Sequence, residues 1–245
     1  MCIIVYKPST AKMPTKATLK QCWENNKDGA GYMFPSKDKV IIKKGFMNFK
    51  EFYKSLMYDK SQYGEFTPFV LHFRISTQGG VNKECTHPFP LSTEMEYLKK
   101  LRVKCECGIA HNGIIELTSD RWNKTLTYSD TMKFITDYLT LIITSKQWYK
   151  DPLKVKLIER LADSKLAIMM GDGNVTLIGD FIESDGCFYS NNHFREDRCA
   201  KKSYTSLSYR EDYDDCWEDD KWYNEYLKKY NAKQLSIGGD KEWTI

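Results

Sequence analysis

Met1-Cys2-Ile3-Ile4-Val5-Tyr6 opens the chain, and the reading of this stretch decides the fold. Cys2 is followed at once by an apolar run that reads as a buried strand, which would hold the cysteine rigidly. Removal of Met1 leaves a cysteine whose own α-amino group sits beside its thiol. Such a residue carries nucleophile and base together, as an N-terminal threonine does. The ordinary pKa values are roughly 8.5 for the thiol and roughly 7.7–8.0 for the amine, so proton transfer between them is nearly balanced close to neutral pH. Taken alone, these six residues also fit any strand with a small residue at position two and Met1 retained. The rest of the chain turns the reading.

Moving outward, residues 18–26 predict a short helix with Leu19, Cys22 and Trp23 on one face, and Val40-Ile41-Ile42 a short strand. Residues 48–58 carry Phe49, Phe52, Tyr53, Leu56 and Met57 at the spacing of an amphipathic helix. Residues 68–76 alternate, with Phe69, Leu71, Phe73 and Ile75 on one face and Val70, His72, Arg74 and Ser76 on the other. A strand with His and Arg on one face reads as the wall of a site. Cys107–His111 is another short strand, ending at His111-Asn112-Gly113. Residues 129–143 predict a strong helix capped by Ser129 or Asp130, with Met132, Ile135, Leu139 and Ile142 as its apolar face. Asp151 caps the next helix and Pro152 takes its first turn, with Leu153, Leu157, Ile158 and Leu161 inward. Residues 165–170 and 174–178 read as a hairpin around Gly171-Asp172-Gly173-Asn174, and Phe188-Tyr189-Ser190 as a further strand.

The composition is that of a globular protein: 245 residues, 41% hydrophobic and 29% charged. No apolar run approaches the roughly 20 residues of a membrane span, and no basic segment followed by an apolar one marks a secretory leader. The expectation is a cytoplasmic protein with no membrane partner. The eight cysteines are scattered, which without a leader reads as reduced thiols. A net charge of +4, from 37 basic and 33 acidic residues, is too mild to argue for nucleic acid. From about residue 192 the chain turns charged and aromatic, with acidic clusters at Glu211–Asp215 and Glu218–Asp220. Tyr213, Trp217, Tyr223, Leu227 and Tyr230 there read equally as a docking helix or as part of a solvated appendage.

Four more segments combine with Cys2: Asp28-Gly29-Ala30-Gly31, His72-Phe73-Arg74-Ile75-Ser76-Thr77-Gln78-Gly79, Thr86-His87-Pro88-Phe89 and His111-Asn112-Gly113-Ile114-Ile115. A fifth, Ser129-Asp130-Thr131, opens the long helix. Together and in this order they closely resemble the glutaminase domain of class II glutamine amidotransferases, the N-terminal-nucleophile (Ntn) type. The resemblance covers roughly residues 2–190, with the best matches between 2 and 131. It implies an α+β fold, a four-layer αββα sandwich with two antiparallel sheets, over residues 1–190, and an appendage over 191–245.

The resemblance implies a glutaminase that uses no cofactor and no metal and takes L-glutamine as substrate. Cys2 attacks the side-chain amide carbon, and its α-amine takes the thiol proton and passes it to the departing ammonia. Asn112 (side chain) and Gly113 (backbone N–H) match the family's oxyanion hole. Arg74 matches the carboxylate fork, a role suited to a planar guanidinium, and Asp130 matches the partner of the substrate ammonium. Thr77 contacts glutamine from the strand end, while His72 and His87 shape the pocket without serving as general base. Asp28-Gly29 matches a D-G-x-G turn in which small residues let backbone pass close to the pocket. Two positions depart from the synthetase-linked members, Ile75 where Trp is frequent and Gln78 where His is frequent, and these bear on coupling to a second site. With about 55 residues after residue 190, the ammonia acceptor is expected to be a separate enzyme. Two other readings stay open: an Ntn amidase acting on a larger γ-glutamyl or amide substrate, and a catalytically silent Ntn-fold binding module.

Cys105-Glu106-Cys107 with Cys85 and His87 invites a zinc reading, but one C-x-C without a matching pair falls short of ligand spacing. In a single strand those two cysteines would share a face. Gly171-Asp172-Gly173-Asn174 lacks the Lys-Ser/Thr of a phosphate loop.

Overall fold

The computed structural model describes residues 1–76, 80–120 and 126–195. Two antiparallel sheets dominate it. The larger is seven-stranded and contains β1 (Ile3–Lys7), β2 (Ala30–Ser36), β3 (Lys39–Phe46), β4 (Phe69–Phe73), β6 (Arg102–Cys105), β10 (Ile182–Ser184) and β11 (Cys187–Tyr189). Its strand order is β10-β11-β1-β4-β2-β3-β6. The smaller is four-stranded, with β5 (Phe89–Pro90), β7 (Cys107–Asn112), β8 (Lys165–Met170) and β9 (Val175–Ile178) in the order β5-β7-β8-β9. The apolar run of the opening hexapeptide is β1, and it lies inside the larger sheet between β11 and β4.

Three cores follow from the alternation of these strands. Ile4, Met33, Val40, Ile42 and Val70 of the larger sheet meet Ala110, Ala167 and Met169 of the smaller. On the other face of the larger sheet, Ile3, Val5, Tyr32, Phe34, Phe69, Leu71 and Phe73 pack on two helices. Helix α1 (Lys16–Glu24) contributes Leu19, Cys22 and Trp23, and α2 (Phe49–Tyr63) contributes Phe52 and Leu56, while a short α3 (Met95–Lys99) lies between β5 and β6 in the chain. The other face of the smaller sheet, through Cys107, Ile109, Leu166, Ile168 and Met170, packs on the helices that follow residue 129. Each fully buried large apolar side chain contributes roughly 1.5–3 kcal/mol, so both faces of both sheets are needed.

Local chemistry sets the helix ends. Thr15 caps α1 by accepting from Thr18 N–H, and Asn48 caps α2 by accepting from Lys50 and Glu51 N–H. Ser129, rather than Asp130, caps α4 (Asp130–Phe134) by accepting from Met132 N–H. The predicted helix over 129–143 is not uniform: a π segment, Ile135–Leu139, separates α4 from α5 (Thr140–Ile142). Asp151 and Pro152 start α6 (Pro152–Ala162) as expected. Its inward stripe, however, is Val155, Ile158, Leu161 and Ala162, while Leu157 is exposed and Leu153 is 77% exposed. The apolar surface of α6 is wider than the strip the sheet covers, and the chain's entry at Asp151 sets which strip that is.

Two further differences have physical causes. The strand predicted over 68–76 ends at Phe73, because Arg74 and Ser76 turn to pair with the Asp28-Gly29 turn. Cys105 and Cys107 do not share a face: the chain leaves the larger sheet at Cys105 and enters the smaller at Cys107, burying the two thiols in different cores. Strand β2 escaped prediction because it is buried for five residues running and lacks alternation. No helix among the described residues is long and apolar enough to cross a membrane. The first compact unit runs through residue 196, so residues 191–195 belong with the body and not with an appendage starting at 191. The rest of the predicted appendage lies outside the described residues.

Candidate functional site

The site is assembled where β1, β4 and β7 end. Ile3 pairs with Phe73, which brings Cys2 beside the segment that follows β4. The Cys2 Sγ lies 3.3 Å from both the N–H and the C=O of Ile75, accepting from one and donating to the other. Burial pushes the Cys2 thiol up. The Ile75 N–H, the Arg74 guanidinium and the chain's amino group pull it down, and Asp130 pushes it up. A resting thiol in such a place needs a base to become a nucleophile.

Arg74 is 3% exposed and is held at both ends. Its backbone N–H donates to Gly29 O and its C=O accepts from Asp28 N–H. Its guanidinium donates to Gly80 O at 2.7 Å and to Ser76 Oγ at 3.1 Å. Asp28 Oδ2 in turn accepts from Ser76 N–H at 2.8 Å. The two glycines of this turn are spatial necessities. A Cβ on Gly31 would stand 2.2 Å from the backbone oxygen of His87 and 2.6 Å from Lys44 Cβ. Thr77, the expected glutamine contact at the strand end, lies outside the described residues.

Asp130 is buried at the first turn of α4. Its Oδ2 accepts from Ile115 N–H at 2.9 Å and its Oδ1 from Thr131 N–H at 2.8 Å. Gly113 follows β7 at a φ of +145°, where a Cβ would meet Ser164 Cβ at 2.7 Å. Asn112, at the end of β7, shares a strand face with Ala110 and so projects toward the larger sheet. Its Nδ2 lies 2.9 Å from Ser190 Oγ, and its Oδ1 is buried without a partner among the described residues.

His72, His87 and His111 form one buried group behind the thiol. The rings of His72 and His87 stack with centroids 4.3 Å apart. Ser164 Oγ donates to Ala162 O, so it accepts from His111 Nε2–H. His111 Nδ1 is then an acceptor for the Thr131 hydroxyl, which in turn accepts from His87 Nε2–H. His72 Nε2–H donates to His111 O. The Nδ1 atoms of His72 and His87 are left as bare lone pairs, without a partner among the described residues. Burial drives all three imidazoles toward the neutral form. His72 falls to about 3, with burial the largest cause and His111 and Arg74 adding to it. His87 falls well below its ordinary value through burial and the neighbouring His72, His111, Arg74 and Lys44. None of the three is poised as a general base near neutral pH.

Cys2, Arg74, Ile75, His87, Gly113 and Asp130 line one pocket, ≈ 270 Å³ with its open mouth included. Residues predicted from four distant stretches thus meet around the thiol, while Asn112 and His72 are not among the lining residues. In comparisons with known proteins, no family model and no curated protein matched the chain. Among the described residues no group of three or more His, Cys, Asp or Glu side chains could hold a metal ion. Of the suspected zinc set, Cys105 gives its thiol proton to backbone carbonyls and is pushed up to about 12 by burial.

Several supporting residues escaped the sequence reading. Thr131 joins two histidines through its hydroxyl while its N–H donates to Asp130 Oδ1, and Asn191 Nδ2 donates to Cys2 O at 2.6 Å. Ser190 Oγ accepts from Ile4 N–H at 2.8 Å and touches Asn112. Their adjacency in space marks the last two, since Ser190 is 186 residues from Ile4 in the chain.

Proposed function

We propose that the chain is an Ntn-type glutaminase of the class II glutamine amidotransferase kind, with the αββα layering of that fold. The observation that carries this reading is the convergence on one pocket of Cys2, Arg74, Gly113 and Asp130, which are spread over 129 residues of sequence. Arg74 and Asp130 place opposite charges beside the thiol, as a free amino acid with a carboxylate and an ammonium requires. A peptide-bound glutamine lacks both charges.

With Met1 removed, the Cys2 amine takes the thiol proton and the thiolate attacks the glutamine amide carbon. Negative charge develops on the carbonyl oxygen, where the Gly113 N–H and the Asn112 carboxamide are the donors the resemblance assigns. One such donor is worth on the order of 10²–10³ in rate. The C–N bond then breaks and the amine returns its proton to the departing ammonia. Water hydrolyses the γ-glutamyl thioester to glutamate and frees Cys2. A thiol raised by burial and three histidines driven toward the neutral form agree with an amine as base. Ammonia leaves as the second product, and the chain after residue 196 is a candidate docking element for an enzyme that accepts it.

The test is glutamate release from glutamine, with the intact mass of the same sample recorded. Release that vanishes in Cys2→Ala supports the reading. Equal release by Cys2→Ala, or none from wild-type protein whose Met1 is absent, sinks it. Turnover of a γ-glutamyl conjugate far above that of glutamine would favour the amidase reading instead.

A further inference from the structure

We propose that Ser190 is the positioning residue of the oxyanion donor. Its hydroxyl sets which end of the Asn112 carboxamide faces the reacting carbonyl. The proposal rests on the glutaminase reading for its kinetic consequence, but its structural content stands apart from it.

The argument is a hydrogen-bond account. Ser190 is fully buried at the end of β11, and its Oγ accepts from Ile4 N–H at 2.8 Å. Its C=O accepts from Lys165 Nζ at 2.7 Å and its N–H donates to Ile4 O at 3.0 Å, so the residue is fixed between both sheets. With Nδ2 of Asn112 turned toward it, both lone pairs of Oγ are taken by donors. The hydroxyl proton then has no acceptor among the described residues, and Asn112 Oδ1 is buried with no donor. Two complementary groups on touching side chains, a hydroxyl proton and an amide oxygen, are thus left unsatisfied.

Turning the carboxamide by a half-rotation, which conserves its shape, resolves this. Ser190 O–H then donates to Oδ1, while Oγ still accepts from Ile4 N–H. The Nδ2 protons move to the place that Oδ1 held, where Oδ1 met no donor among the described residues. On the glutaminase reading these protons are the donors that an oxyanion in the transition state would meet. Asn112 and Cys2 serve this geometry together. Cys2 shares a face of β1 with Ile4, which projects toward the smaller sheet, and Asn112 projects from β7 toward the larger. Gly113, the next residue, lines the pocket with the thiol.

Two measurements decide it. The first reads the resting orientation and needs no activity. The Nδ2 protons of Asn112, identified in a ¹⁵N spectrum by their absence in Asn112→Ala, show no NOE to Ile4 N–H if Oδ1 faces Ser190. A strong NOE between them overturns the proposal. The second is kinetic. Ser190→Ala lowers kcat for glutamine by about 10–100-fold, with KM within about 2-fold, as a loosened oxyanion donor should. In an Asn112→Ala background, Ser190→Ala costs nothing further. An equal additional loss in that background makes Ser190 merely structural and overturns the proposal. If the processed wild type hydrolyses no glutamine, the functional reading fails, and the NOE alone decides Ser190.

Discussion

Lowering the pH from 7 to 5 should unfold this protein more easily, and His72 should carry much of the effect. Its imidazole is completely buried, stacked on His87, and held near 3 against an ordinary 6.5. The folded protein therefore excludes a proton that the unfolded chain takes up. The stability this represents is whole above pH 6.5 and drains away as the pH falls from 6.5 toward 3. Each pH unit in that window costs about 1.4 kcal/mol, so His72 alone withdraws about 2 kcal/mol at pH 5. His87 and His111 are lowered by the same burial and push in the same direction. The assay is urea unfolding at both pH values for the wild type and for His72→Gln, whose amide keeps a donor for His111 O. The wild type should lose at least about 2 kcal/mol, and the variant about 2 kcal/mol less. Carboxylate titrations cancel in that comparison. Losses that agree within about 0.5 kcal/mol would refute the reasoning. So would an NMR titration that finds the His72 ring half-protonated above pH 6 in the folded protein.

Three further outcomes follow from the same geometry. Gly31→Ala sets a methyl 2.2 Å from a backbone oxygen that cannot retreat without moving His87. Overpacking of this severity costs about 3 kcal/mol and lowers Tm by roughly 6–12 °C, and a drop of under about 2 °C would contradict the close approach. Arg74→Lys keeps the charge but loses the fork, which should raise KM for glutamine by about 10–100-fold with a smaller change in kcat. Steady-state kinetics with an unchanged KM would remove Arg74 from carboxylate binding. Asp130→Asn removes a carboxylate that accepts from Ile115 and Thr131 N–H. Denaturation should show a loss of about 1–3 kcal/mol, and KM should rise as the substrate ammonium loses its partner. A variant as stable as wild type would show that those two bonds contribute little.

The residues facing the pocket were readable in the sequence because their chemistry is local. Cys2 at the start of an apolar strand, Arg74 after an alternating run, Gly113 after a short strand and Asp130 at a helix start each carry a signal in their own neighbourhood. Helices α1 and α2 were readable for the same reason: a 3.6-residue stripe and a capping side chain lie within one segment. What the sequence left open depends on which surfaces meet. Strand β2 is covered on both faces, so its pattern carries no period. The inward strip of α6 depends on where the sheet stops, and the two cysteines flanking Glu106 part company because the chain changes sheets there. The drive of the three histidines toward the neutral form, the Thr131 link between two of them and the hold of Ser190 and Asn191 on Ile4 and Cys2 are products of packing. Each joins groups far apart in the chain, and burial, the property that gives them their energies, exists only once the sheets have closed on one another.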